Sequence, residues 1–317
     1  MSFSFPIEHY LSNPNHNPIN RYTNMSKLLQ WAPVLLLMPL FIAGCAGAET
    51  GQEQQNWQTE NLKGAVKSYT QSVYKATEKF GKIEKGEQDN ITRVVDNKDF
   101  DNIIAAYNEN GDLIERSIYY ADNTLFYKEK FVYNDEGKQI EGGQYDANGT
   151  LEGKTKFLYD EKGNLIEIDH HKSDGSLNGK IMCSYDEKGN EIERNSYQSD
   201  GSLDWKTVSA YDDNGNKIES THYESDGSLV WKEKYVYDKN GNRIEMSISD
   251  QEGANFKGRI AYDDKGNPIE WSGHDSEGNP WECKCTYQYD EKGNWTQMVI
   301  YQDGTPVNIV EREYTYY

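Results

Sequence analysis

From residue 107 onward the hydrophobic and polar positions follow a short pattern that returns again and again. A tyrosine standing ahead of a Gly-containing turn recurs at Tyr107, Tyr133, Tyr159, Tyr185, Tyr211, Tyr237, Tyr262 and Tyr289, at intervals of 26, 26, 26, 26, 26, 25 and 27 residues. A fixed period of this kind marks a repeat architecture. One unit, residues 185–210, reads YDEKGNEIERNSYQSDGSLDWKTVSA and holds two turn signals, at Asp186–Asn190 and Ser199–Ser202. The second turn repeats its glycine at Gly149, Gly175, Gly201, Gly227, Gly253, Gly278 and Gly304. Hairpin turns need a positive backbone angle that glycine adopts without strain. Turns about 13 residues apart leave roughly 8 residues, near 27 Å of extended chain, for each strand. Each unit is therefore predicted to be two antiparallel strands. Helix is a poor competitor, because Gly, Asn, Asp, Tyr, Ile and Thr dominate the unit.

Within the units, Ile114, Ile140, Ile166, Ile192, Ile218, Ile244 and Ile269 are each followed by a glutamate, from Glu115 to Glu270. Period-two alternation predicts that the two side chains of each pair point to opposite faces. On the second strand Leu203, Trp205 and Tyr211 share a parity, as do Leu229, Trp231, Tyr235 and Tyr237, with Lys206 and Lys232 opposite them. A glutamate facing a lysine on the neighbouring strand contributes roughly 0.2–1 kcal/mol. One unit cannot fold alone: ordering its backbone costs about 1–2 kcal/mol per residue, against roughly 1.5–3 kcal/mol for each large buried side chain. Stacked neighbours must supply the rest. The expected fold is all-β, an elongated, twisted antiparallel β-meander of about eight 26-residue two-stranded repeats.

The one strong apolar run, residues 28–42 (LLQWAPVLLLMPLFI), is interrupted by Pro33 and Pro39 and suits a secretory signal better than a membrane span. Its end, Ile42-Ala43-Gly44-Cys45, resembles the lipobox of bacterial lipoprotein signal peptides. That resemblance implies cleavage before Cys45, diacylglycerol on its sulfur, and, with Ala46 rather than Asp next, outer-membrane sorting in a Gram-negative cell. The expected organisation is a polar extension at 1–24, a lipoprotein signal peptide at 25–44, a flexible tether at 45–60, an N-terminal capping β segment at 61–106 and the repeat array at 107–317. Within the cap, residues 62–69 and 91–95 read as strands separated by a turn-rich stretch at 80–86; residues 307–317 read as a final strand that either closes the sheet or offers an edge.

Composition sharpens the class. Leu, Ile, Val and Phe make up about 18% of the chain, a fraction that at a formal charge of −20 would ordinarily mean disorder. The 24 tyrosines supply the missing apolar area. With 53 acidic against 33 basic residues the chain is not a nonspecific nucleic-acid binder, which needs a basic surface.

The Tyr-Asp-x-x-Gly-Asn signature with a Ser-Asp-Gly-Ser-Leu turn resembles the YD repeats of bacterial RHS proteins over roughly residues 100–317. The resemblance implies a coiled β-sheet in an extracytoplasmic setting. A looser similarity, to MORN-type repeats, rests on the aromatic-x-x-x-Gly rhythm.

Candidate chemistry is sparse. Cys283-Lys284-Cys285 places two thiols on one strand face, able to bind a soft metal or form a strained bridge; two small buried residues replacing aromatics is the favoured reading, with no second Cys or His pair beside them. Cys183 lies about 40 Å from them in a flat meander. His170, His171, His222 and His274 fall at or beside positions held elsewhere by Tyr119, Tyr145, Tyr197, Tyr223 and Tyr301, so they read as variants of a structural ring. No nucleophile elbow, P-loop or His-Glu-x-x-His occurs. No catalytic residue, metal or cofactor is expected. Trp205 and Trp231 sit at equivalent positions and read as core; Trp271, Trp281 and Trp295 break the pattern and are the better candidates for ligand recognition. The expected protein is non-enzymatic and membrane-anchored in the cell envelope through Cys45. It acts as an interaction scaffold, with a glycan or another envelope or secreted protein, including a toxin to be neutralised, as the alternative partners.

Overall fold

The computed structural model describes residues 56–89, 102–251, 253, 255–274 and 278–317. The polar extension, the signal segment, Cys45 and the strand expected at 91–95 lie outside these residues. Nineteen strands follow one another: β1 (Val66–Lys79), β2 (Lys82–Gln88), β3 (Asn102–Tyr107), β4 (Leu113–Tyr119), β5 (Leu125–Tyr133), β6 (Gln139–Asp146) and β7 (Leu151–Tyr159). Then come β8 (Leu165–Lys172), β9 (Leu177–Tyr185), β10 (Glu191–Gln198), β11 (Leu203–Tyr211), β12 (Lys217–Glu224) and β13 (Leu229–Tyr237). The last are β14 (Arg243–Asp250), β15 (Asn255–Tyr262), β16 (Pro268–His274), β17 (Pro280–Tyr289), β18 (Trp295–Gln302) and β19 (Thr305–Tyr316).

From β3 to β19 each strand pairs antiparallel with the next, so the serial hairpins are as the period predicts. The meander does not stay open. Strand β1 lies between the two ends, with Thr70 opposite Glu313 of β19 on one side and opposite Ile104 of β3 on the other. An 18-stranded antiparallel barrel results, with β2 paired only to the far half of β1. The elongated meander is thus corrected to a closed wall. Two features explain the difference. Strand β1 runs 14 residues, well beyond the strand expected at 62–69, because Phe80-Gly81 forms a tight turn at its end. A register shift recurs at both ends of the hairpins, as between Val132 and Tyr133, which face Glu141 and Gln139 and leave Ile140 extra. Such bulges bend and coil a sheet.

The bulges also overturn the expected Ile/Glu alternation. Leu113 and Arg116 both face inward, paired with Tyr107 and Ala105, so the two residues between them, Ile114 and Glu115, share the outer face. The same holds around the array, and Ile140, Ile166, Ile192 and Ile218 are left 37–40% exposed. For the same reason Leu203 no longer shares a face with Trp205. At mid-strand the outer wall carries the predicted ion pairs: Lys128–Glu115, Lys154–Glu141, Lys180–Glu167, Lys206–Glu193, Lys232–Glu219 and Lys257–Glu245, all at 2.6–3.0 Å.

Units are bonded to one another through the tyrosines. The hydroxyls of Tyr133, Tyr159, Tyr185, Tyr211, Tyr237 and Tyr262 donate to the carbonyls of Leu113, Gln139, Leu165, Glu191, Lys217 and Arg243 in the preceding hairpin, at 2.7–2.9 Å. In the last units Tyr287 and Tyr314 take over this bond, to Pro268 and Trp295. Tyr289 and Tyr316 donate instead to the carboxylates of Asp263 and Asp290. The turns that follow Tyr159, Tyr185, Tyr211 and Tyr237 are closed alike: in one, Asp186 Oδ1 accepts from the amides of Lys188 and Asn190, its Oδ2 accepts from Asn190 Nδ2, and Gly189 takes φ +87°. Replacing Tyr185 by Phe is expected to lower the unfolding free energy in urea by about 1 kcal/mol, whereas Ile192→Thr on the outer wall should change it by less than about 0.5 kcal/mol.

Candidate functional site

The inner face of the barrel is divided. One apolar cluster spans β13–β19 and reaches Val73 of β1; it contains Trp231, Met246, Ile248, Phe256, Trp271 and Trp281. A second gathers Leu62, Val66, Tyr69, Ile103, Tyr107 and Ile118 around β1, β3 and β4. Between them the inner face is more polar, with Gln144, Thr155, His170, Ser196, Thr207, Ser220 and His222 along β6–β12.

Of the five tryptophans considered for recognition, Trp271 and Trp281 are 1% and 4% exposed, within the inner cluster. Trp281 stacks on Phe256 with centroids 5.6 Å apart, lying against Gly273, where an added Cβ would stand 2.1 Å from the Lys257 carbonyl. Trp295 is half-buried, with the guanidinium of Arg312 4.1 Å from its ring and 4.4 Å from that of Tyr69. Trp231 is buried under His222, and Trp205 is half-buried on the inner face beside Ser196. The structure therefore brings Trp231, Trp271, Trp281 and Trp295 into one cluster and leaves Trp205 apart.

The most elaborate polar arrangement is at His222. Its ring stacks on Trp231 at 4.1 Å; Nδ1 lies 3.0 Å from Thr207 Oγ1 and Nε2 lies 3.3 Å from Glu233 Oε2. The Tyr235 hydroxyl donates to the same carboxylate oxygen at 2.7 Å. Burial alone would raise the Glu233 pKa, but the hydrogen bond and charge of His222, the Tyr235 hydroxyl and Arg243 outweigh it and hold the pKa below the ordinary value. The hydroxyl–imidazole contact is part of the repeat, since Thr155 and His170 make it 3.1 Å apart two units earlier. The position of Glu233 is held in the earlier units by Glu129, Thr155, Ile181 and Thr207, and Glu129 pairs with Arg116 at 2.7 Å, so what is particular to this unit is a carboxylate set against an imidazole. Residue-type reasoning treated the histidines as a uniform ring and missed Glu233, although its uncharged equivalents Thr155, Ile181 and Thr207 were visible.

The three described cysteines are free and buried. Cys183 stands beside Arg194, which is bonded through two nitrogens to Glu191; desolvation pushes its thiol up to about 12. Cys283 and Cys285 share the inner face of β17, and the hydrogen bond from Cys283 together with burial raises Cys285. Among the described residues no group of three or more His, Cys, Asp or Glu side chains is placed to hold a metal ion.

At one rim, residues 56–63 cross the barrel end and stitch separate turns together. Trp57 donates its amide to Gly111, Asn61 Nδ2 donates to the Lys265 carbonyl, and Lys63 exchanges backbone bonds with the side chain of Asn294. Glu60 accepts the hydroxyls of Tyr107 and Tyr69 inside that rim.

No family model matches the chain, and no curated protein matches it in sequence. Among solved structures, a chain of the Photorhabdus luminescens Tc holotoxin pore is similar at 16% identity and TM-score 0.33, over 66% of this chain and 11% of that one. Porin-like proteins from Bacteroides uniformis and Bacteroides vulgatus are similar at 8% and 13% identity, each with TM-score 0.38, over 79% and 61% of this chain and 98% and 95% of theirs. This chain spans only about a ninth of the toxin chain's length.

Two predictions follow from the inner wall. Glu233 has a depressed native pKa, so its contribution to stability is present above the unfolded value near 4.5 and is lost as the pH falls below it. Glu233→Gln should therefore destabilise by about 1–3 kcal/mol at pH 7, and the gap to the wild type should narrow in urea titrations as the pH falls below 4.5 and through the native pKa. For the thiols, a disulfide-exchange reagent at pH 8 should leave Cys183, Cys283 and Cys285 unmodified in the native protein and modify all three after denaturation.

Proposed function

We propose that the protein is a lipid-anchored barrel of the cell envelope, held outside the bilayer, that works as a non-enzymatic binding scaffold. The observation that carries this reading is the mid-strand belt of Lys–Glu pairs on the outer wall. A barrel that spans a membrane turns an apolar band roughly 25 Å tall toward lipid. Here the strands are about 27–30 Å long, and the middle of their outer face carries this ionic belt, interrupted by Met182 and Val208, while the exposed Ile row lies toward one end with Val132, Leu158 and Val236 beside it. A wall of this kind belongs in water, and attachment falls to the acyl chain expected on Cys45. The envelope setting, outer membrane in a Gram-negative cell, rests on the same segment.

The non-enzymatic reading rests on use. The recurring glutamates are engaged with the lysines of the next strand, the recurring turn aspartates hold turn amides, and the recurring tyrosines hold the preceding hairpin. Thr207, His222 and Glu233 line up as hydroxyl, imidazole and carboxylate, but the first contact is repeated at Thr155 and His170, and Glu233 is occupied by Tyr235 and His222 as an internal hydrogen-bond partner.

Cells producing the chain and fed radiolabelled palmitate should yield labelled protein that partitions into detergent; Cys45→Ala should abolish both label and partitioning. Label that persists in the Cys45→Ala protein contradicts the anchor.

A further inference from the structure

Two stretches of the repeat, two units apart, superimpose residue for residue on the inner wall and differ in kind at one place. In the later stretch Trp205 of β11 stands between Ser196 and Glu224 on its neighbouring strands, and Trp231 of β13 covers the ring of His222. In the earlier one the equivalent residues are Gly153 of β7, between Gln144 and Lys172, and Gly179 of β9, opposite His170. Both tryptophans have become glycines. The imidazole between them keeps its hydroxyl, with Thr155 Oγ1 and His170 Nδ1 3.1 Å apart as Thr207 and His222 are at 3.0 Å.

The backbone does not ask for these glycines. Those of the turns take positive φ, whereas Gly153 and Gly179 do not. Glycine inside a strand weakens it and marks a place where something approaches closely. Gly179 is buried beneath its neighbours, and the open place is at Gly153. A Cβ there would stand 3.2 Å from the His171 carbonyl on the adjacent strand and would meet no side chain within 4 Å. The polar groups around it are uncommitted. Gln144 and Lys172, directly opposite Gly153 on either side, are both exposed. Among the described residues neither side chain has a hydrogen-bond or ion-pair partner, and His170 Nε2 has none. The equivalent nitrogen of His222 is taken by Glu233, where this stretch has Ile181. Lys172 is also a cation where Asp146, Gln198, Glu224 and Asp250 stand in other units. Asp174, the nearest carboxylate in sequence, feels that charge but is engaged with Ser176 in its own turn.

Shape and charge together select the occupant. The place that an indole fills on β11 is left without a side chain on β7, so a flat ring of that size fits against the same strand geometry. Burial lowers the His170 pKa, so its ring is neutral at pH 7 and, with Nδ1 on the Thr155 hydroxyl, has Nε2 to offer. An ammonium, a primary amide and an imidazole nitrogen beside one another suit an anionic acceptor, whose hydrogen bonds are charge-assisted. One lysine balances the single charge of a carboxylate; a phosphate would bring nearly two.

We propose that the inner wall at Gly153 binds a small planar ring carrying a carboxylate, with the ring over Gly153 where β11 has its own indole, and the carboxylate held by Lys172 and Gln144. His170 borders the ring from the same face of β8. The site lies beside the turns at 146–150 and 172–176, at the rim that residues 56–63 do not cross, which leaves a way in for a ligand from solution. The proposal rests on the reading of the protein as a binding scaffold and gives that scaffold a ligand class.

The test titrates the full chain with indole-3-acetate, and with indole and tryptamine as comparators, followed by ligand-observed NMR. Indole-3-acetate is expected to bind; indole, lacking the carboxylate, should bind about tenfold more weakly, and cationic tryptamine more weakly still. Two substitutions import residues that the later stretch already carries: Lys172→Glu, as at Glu224, and Gly153→Trp, as at Trp205. Lys172→Glu should weaken indole-3-acetate binding by about tenfold or more and leave indole unchanged. Gly153→Trp should abolish uptake of both by filling the place itself. Melting curves show whether Gly153→Trp folds; if it does not, Lys172→Glu, at an exposed position, decides alone. Equal affinity for the three ligands, no binding of indole-3-acetate to the wild type, or binding unchanged in Lys172→Glu overturns the proposal. The last result leaves a binder whose site lies elsewhere, so this site and the scaffold reading fail separately.

Discussion

The structure depends on lateral succession. A 26-residue hairpin buries too little to order itself, and what it lacks comes from its neighbours through ladder bonds, the tyrosine hydroxyl reaching back to the preceding hairpin and the shared inner clusters. In an open array this logic leaves two unsatisfied ends. Strand β1 removes both by pairing with β19 and β3, and Arg312 of β19 donating to Gln71 of β1 at 2.8 Å ties the seam from within. Residues 56–63 reinforce it at one rim by joining turns that the array itself does not connect.

Much of this was legible in the sequence. The period gave strand number, direction and turn chemistry, because tyrosine, glycine and turn aspartate carry the same physical task in every unit. The Glu–Lys pairing was legible for the same reason. Closure was not, because it depends on residues outside the repeat. The inward residues of β1, Tyr69, Gln71 and Val73, show alternation, yet nothing in their identity says which two strands they join. The bulges were hidden too: one extra residue per strand end moved Ile140 beside Glu141 on the outer face, against simple alternation.

The tryptophans show a further limit of residue-type reasoning. Departure from the repeat pattern marked Trp271 and Trp281 as recognition candidates, but the departure belongs to an inner wall enriched in large side chains, where Gly273 makes room for the Trp281 ring. Departure from pattern on the outer face, at Tyr120 and Phe126, leaves rings about half exposed and packed on each other. The sequence signal is of the same kind in both cases; burial is what separates them.

The central claim is that the wall is closed, and hydrogen exchange tests it most directly. In a closed barrel the amides of Ile103–Ala106 in β3 and Ile309–Thr315 in β19 lie at the seam with β1, and both stretches should be protected to the same degree as mid-array strands such as β9. Rapid exchange confined to β1 and to the facing edges of β3 and β19, with β9 still protected, would contradict closure and restore the open meander.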